Sequence, residues 1–334
     1  MAPHHKPPPP QTGFNPNNPG ASGYSDVFET DFAALSSLAG VVDVNNTKAP
    51  GYQWYADPVW WAAPAMADEI TLIHGVGLQL HGVNGENAPV ITTEGVVGGG
   101  YGSPLVGTDF GNGFFVEATV RIDNPGAVTF PPSHGDTGWP AFYSLSSEFL
   151  AGTAFWPGNP PGQQPPIQHW IENDIFEFTG QLGSKYVTQT LHDWSGNVFD
   201  NPVPRNDIFT QTATGVTDLN HFHTYGMLWV PATTSHPGSY TFYIDGLQAS
   251  GPVGAGDMWG DGSWWNGQYL YPLVGADSPY PPSDGANGTR GAVANLQHFW
   301  FSLEGSFSSP VTISDFQLWQ LPSGNMNVHD GTGM

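Results

Sequence analysis

The chain has 334 residues and a formal net charge of −23, with six Lys and Arg in total and no cysteine. So few cations exclude nucleic acid and anionic membrane lipid as partners, because phosphate groups need a cationic surface. Sulfated and uronic glycans are disfavoured too, since fixed anions on a substrate usually meet arginine forks, and the missing thiols exclude disulfides and cysteine catalysis.

The 44 Gly and 32 Pro interrupt helices, while an aromatic content of 13% suits many short strands joined by turns. Residues 1–23, rich in Pro, Asn and Gly, predict a disordered or extended segment, and His4 and His5 within it read as a solvated tail. The start has the look of a mature terminus, and two sequons (at Asn45 and Asn287) are compatible with secretion, so an extracellular protein is expected. Residues 24–322 carry no linker, charge block or repeat and predict one domain; residues 323–334 are expected to form a flexible tail. No apolar run approaches the length of a membrane span.

Within the domain a short helix is predicted over Asp31–Leu38. Strands are predicted at Gly113–Ile122, His169–Phe178, His223–Val230, Tyr240–Ile244, Ala294–Leu303 and Val311–Leu318. Asp245-Gly246 is a type I′ turn signal and predicts a hairpin after Ile244. The whole reads as an all-β sandwich. Long loops at 131–139, 156–166 and 250–287 carry Trp156, Trp259, Trp264, Trp265, Tyr269, Tyr271 and Tyr280. Aromatics in polar, Gly-rich loops are hard to bury, and their flat rings suit the apolar faces of sugars.

The chemistry concentrates in Glu172-Asn173-Asp174-Ile175-Phe176-Glu177, three carboxylates inside an apolar, aromatic strand. Half-buried carboxylates are costly unless compensated or used, and the chain has few cations to pair them. In a strand Glu172 and Asp174 share a face with Trp170, whereas Glu177, five positions from Glu172, points the other way. A β-bulge near Ile175 or Phe176 returns Glu177 to the shared face. Four strand steps span roughly 13 Å, and two inward-leaning Glu side chains then leave roughly 5 Å between carboxyls, the spacing of a retaining glycosidase. The competing readings are a solvated acidic face or a calcium site.

This segment resembles the bulged catalytic signature of glycoside hydrolase family 16, which includes laminarinases, agarases and carrageenases. The resemblance extends to Gly111–Ile122, Gly138–Leu145, Phe222–Trp229 with Phe242–Gly246, and Ile313–Gln320, five islands in family order. It implies a concanavalin A-like β-jelly roll of two antiparallel sheets with a concave carbohydrate-binding cleft. Glu172 would be the nucleophile, Glu177 the acid/base, and Asp174 would tune the nucleophile's protonation. Trp170 matches an aromatic cleft position and His192 a histidine near the acid/base; Trp139, Trp194, Trp264, Trp265 and Trp300 complete the residues expected to contact substrate. Asp315 matches a position that contributes to a structural calcium site, while the catalysis itself asks for no cofactor. Asn173 departs from the family, which usually has an apolar residue there, so packing or register is open to change.

The expected activity is that of a secreted, monomeric, retaining endo-glycosidase on a neutral β-glucan polysaccharide or oligosaccharide, β-1,3- or mixed-linked. A transglycosylase on the same glycan and a non-catalytic lectin are the alternatives. With a pI near 4.4, an acidic working environment is expected.

Overall fold

The computed structural model describes residues 13–56, 65, 67–83, 88–98, 102–128, 139–151, 169–180, 185–195, 205–231, 238–249, 268–270 and 297–332. Two sheets stack face to face, the expected all-β jelly-roll sandwich. Among the described residues the first has nine strands and the second eleven. Along the first run Leu247–Gln248, Gly238–Ile244, His223–Val230, Phe114–Ile122, Val311–Gln320, Gly77–Leu80 and Ile70–Ile73; Ser25–Asp31 also pairs with Val311–Gln320. Along the second run Arg205–Gly215, Tyr186–Ser195, His169–Glu177, Ala141–Ser146, Phe299–Glu304, Val90–Thr92, Trp54–Tyr55 and Val42–Asp43. Among the described residues no helix is long and apolar enough to cross a membrane.

Strand alternation builds the core. Phe114, Val116, Ala118, Val120 and Ile122 send every second side chain inward from the first sheet, and Phe299, Phe301 and Leu303 do so from the second. The rings of Phe114, Phe299, Phe301 and Trp229 meet edge-on between the layers, the arrangement that ring quadrupoles favour. The Asp245-Gly246 turn forms as expected: φ is 53° at Asp245 and 70° at Gly246, and Ile244 pairs with Leu247.

Three segments differ from expectation. Asp31–Leu38 is not helical: Asp31 ends a strand paired with Asp315, and the chain then turns, its Oδ1 accepting from the Ala34 N–H at 2.9 Å. Phe32 drops fully into the core, and the Ser37 hydroxyl accepts from the Ala39 N–H, so local side-chain contacts and one buried ring outcompete a weak helix. Residues 13–23 are ordered: Phe14 packs on Tyr24 and Phe115, and Pro19–Ser22 form a 3-10 turn capped by Asn18. Residues 325–330, assigned above to a tail, form the strand Asn325–Asp330 against Leu105–Gly111. Alternate side chains are half-buried along it, so a sheet edge that would otherwise be open is covered.

Candidate active site

The strand His169–Glu177 is bulged where its acid spacing requires. On one side Phe142 pairs with Phe176 and Tyr143 with Asp174, so Ile175 has no opposite number. On the other, Asp174 pairs with Thr190 and Glu177 with Thr188, three steps against two. Ile175 and Phe176 consecutively face the core, 0% and 1% exposed. Their apolar burial holds the extra residue, and the phase change puts Glu177 on the outer face with Glu172 and Asp174.

Asn173, the departure from the family pattern, points inward and is fully buried. Its Nδ2 donates to Ser144 Oγ at 2.8 Å, and the Tyr240 hydroxyl of the facing sheet approaches the same amide. Pairing is regular through Asn173 on both sides, so the register is unchanged, with Nδ2 satisfied by Ser144 and Oδ1 buried without a hydrogen-bond partner.

Register turns three neighbouring strands into a small grid on the outer face. Glu172, Leu145 and Trp300 make one row; Asp174, Tyr143 and Ser302 the next; Glu177, Ala141 and Glu304 the third. Asp174 is 4% exposed, and burial pushes its carboxyl up to about 8, opposed by a hydrogen bond with Glu177. A hydrogen bond that lowers the Asp174 pKa is one its carboxylate accepts, so in that contact Glu177 carries the proton and donates to Asp174. The resemblance has Asp174 tuning Glu172; the contact with Glu177 links it to the acid/base position as well. Glu177 also accepts from the Trp139 indole Nε1 at 2.8 Å.

Glu304 is the residue that motif reading missed. It is 6% exposed, and burial, then the charges of Glu177, Glu172 and Asp174, hold its carboxyl well above the ordinary range. Ala141 separates it from Glu177, and a methyl group leaves room for two carboxyls to approach across a strand. A signal was present: Glu304 lies four positions after Trp300 on one strand, hence on the same face. Tyr143, at the centre of the grid, is held neutral first by burial and then by Glu304.

The other expected residues fall as follows. Trp139 is half-buried beside Glu177. Trp300 is fully buried, edge-on to Tyr143 in a cluster with Leu145, Phe149 and Leu150, so its ring supports the floor and offers no open face to a sugar. By backbone register Trp170 pairs with Trp194, and His192 with Glu172, while Thr188 faces Glu177. Trp264 and Trp265 lie outside the described residues, as do Trp156, Trp259, Tyr271 and Tyr280. Asp315 lies on the first sheet opposite Asp31, pushed up to about 6 by burial and the charges of Asp31 and Glu29. Oxygen-only donors there suit calcium in kind, but among the described residues only Glu94, Asp109 and His329 gather three ligand atoms within 4.8 Å.

Replacing Trp139 by Phe keeps most of the ring and removes the donor to Glu177. Stability is expected to fall by about 1 kcal/mol, and kcat by roughly tenfold with little change in KM, because a slightly misplaced acid is costly. Melting curves and steady-state kinetics check this; an unchanged kcat would show that Glu177 is positioned without the indole.

No family model matches the chain, and no curated protein matches its sequence. Among solved structures it is similar to the endo-1,3-beta-glucanase of Streptomyces sioyaensis, at 18% identity and a TM-score of 0.48, covering 94% of this chain and 98% of that one. A Bacteroides ovatus GH16 protein in complex with a product is similar at 11% identity and a TM-score of 0.35, covering 90% and 99%. The globular domain of T. cruzi calreticulin is similar at 12% identity and 0.38, covering 88% of each chain. At these identities and scores the likenesses assign neither activity nor ligand.

Proposed function

We propose that this chain is a retaining endo-glycosidase acting on a neutral β-linked glucan by double displacement. One observation carries the reading: the bulge at Ile175 and Phe176 brings Glu172, Asp174 and Glu177 to one face of the sheet. Glu172, half-buried at one end of the set, attacks the anomeric carbon. Glu177, the proton-bearing partner of its hydrogen bond with Asp174, protonates the leaving glycosidic oxygen. Once its proton is gone, Glu177 takes one from water, which opens the glycosyl-Glu172 ester with a second inversion. Nucleophile and acid are both side chains of the chain, so the reaction asks for no cofactor.

The substrate is proposed to be uncharged because six Lys and Arg in 334 residues leave little to bind sulfate or uronate. Within this reading the protein works outside the cell as a monomer on polysaccharide or oligosaccharide.

The test is release of reducing ends from a panel of neutral β-glucans, including β-1,3- and mixed-linked polymers, with NMR of the first anomer formed. The expected result is internal cleavage with a newly formed β anomer. Products longer than an oligosaccharide input would identify transfer to a sugar acceptor instead of water. Binding with no reducing ends released across the panel would replace the enzyme with a lectin.

A further inference from the structure

A second cluster of ionisable groups lies on the sheet that carries the three carboxylates, and none of its members belongs to the catalytic set. Glu94 on the strand Glu94–Val96 and His329 on the strand Asn325–Asp330 both pair with Gly107, one on each side. Gly107 has φ of 110°, and a side chain there would meet the Thr93 carbonyl and the Tyr55 ring, so the strands close tightly around it. Asp109 stands two residues further along the Leu105–Gly111 strand, on the face that Gly107 shares. One ligand atom from each of Glu94, Asp109 and His329 lies within 4.8 Å of the others.

The carboxylates are buried and half-satisfied. Glu94 is 0% exposed and Asp109 is 1% exposed. Ser147 Oγ donates to Glu94 Oε2 at 2.5 Å, and His329 Nε2 lies 2.9 Å from Asp109 Oδ2. The other oxygen of each, Glu94 Oε1 and Asp109 Oδ1, is buried with no hydrogen-bond partner. Unpaired buried atoms occur elsewhere in this structure, but only here among the described residues do two carboxylate oxygens lie unpaired beside an imidazole, and a bound ion is one accepted reason for such a group. Two carboxylates enclosed together, with an imidazole beside them, ask for a positive centre.

We propose that Glu94, Asp109 and His329 form a binding site for a divalent transition-metal ion, zinc being the ion that fits best. An imidazole with two carboxylates is a nitrogen-and-oxygen donor set of the kind zinc takes at about 2.0–2.2 Å. Calcium instead collects six to eight oxygens, for which an imidazole is a poor substitute. The Ser147 hydroxyl on the far oxygen of Glu94 is the outer contact that fixes a ligating carboxylate. His329 is the most exposed of the three, with 17% of its side chain open, and provides the entry. The ion would tie the Asn325–Asp330 strand to the body of the sheet, with three protein ligands leaving a fourth position to water. This site stands whether or not the chain cleaves glycans.

The test uses the full chain carrying His4→Ala and His5→Ala, since those two histidines are a rival zinc ligand pair. After metal stripping, the protein is titrated with zinc chloride by calorimetry, with calcium chloride as comparison, and its metal content is measured after gel filtration. One zinc per chain is expected, with a melting temperature that climbs with zinc concentration as binding to the folded state requires. Glu94→Gln and His329→Gln, each checked for native circular dichroism, are expected to weaken zinc binding at least tenfold. The proposal is overturned if the parent takes up no stoichiometric zinc, if calcium binds more tightly, or if both variants bind zinc like the parent.

Discussion

Glu172→Gln is expected to abolish glycan turnover while leaving the melting temperature within a degree or two of the parent. The amide keeps the shape of a half-buried side chain, so folding is little affected, but it cannot form the glycosyl ester. Glu177→Gln is expected to lose about 10²- to 10⁴-fold on polysaccharide, the usual contribution of a positioned acid/base. An aryl glycoside with an acidic phenol separates the two roles. Its leaving group departs without a proton, so Glu177→Gln should still be glycosylated, and the ester should then persist because no base activates water. Mass spectrometry should find one added glycosyl group on Glu177→Gln and none on Glu172→Gln. Substantial turnover by Glu172→Gln, or an ester on any other residue, would remove Glu172 as nucleophile.

The part of this site that was legible in the sequence was the part governed by chain-local rules. Strand alternation places Glu172 and Asp174 together, and the number of residues to Glu177 demands a bulge; Ile175 and Phe176 supply it because both are apolar enough to turn inward. The hairpin at Asp245-Gly246 was legible for the same reason, since positive φ at both positions is a local demand. Glu304 was not, because it joins the set through Ala141, and no local pattern says which strands become neighbours. Trp300 shows the converse: it stands in the row of Glu172 and Leu145, but packing by Tyr143, Phe149 and Leu150 encloses it, so it does not present the ring expected to contact substrate. The strand Asn325–Asp330 escaped notice because its alternating residues, Asn325, Asn327 and His329, are polar even where half-buried. Their satisfaction depends on the partners His298 and Asp109, which are distant in the chain.

Stability is expected to be greatest in mild acid and to fall as pH rises from about 5 to 8, the reverse of a protein held by ionised carboxylates. Burial pushes Asp174 up to about 8 and Glu117 up to about 7, and holds Glu304 well above the ordinary range. Unfolded, each returns to about 4. Between those values the folded chain binds more protons than the unfolded one, so the free energy of unfolding must drop as pH increases. Each group contributes up to about 1.4 kcal/mol per pH unit while its folded and unfolded forms differ by a full proton. Asp315, raised to about 6, adds less because solvent screens it. Glu94 is left out, since a metal ion at its site would hold it ionised. Repulsion within a chain of net charge −23 acts in the same direction, and a substitution separates the two effects. Glu304→Gln removes one buried proton exchange but changes the total charge little, so its stability should decline less steeply with pH than the parent's. Denaturant unfolding at pH 5, 6, 7 and 8 measures both slopes. A parent that gains stability over this range, or a variant whose slope matches the parent's, would mean that Glu304 is ionised beside Glu177, Glu172 and Asp174.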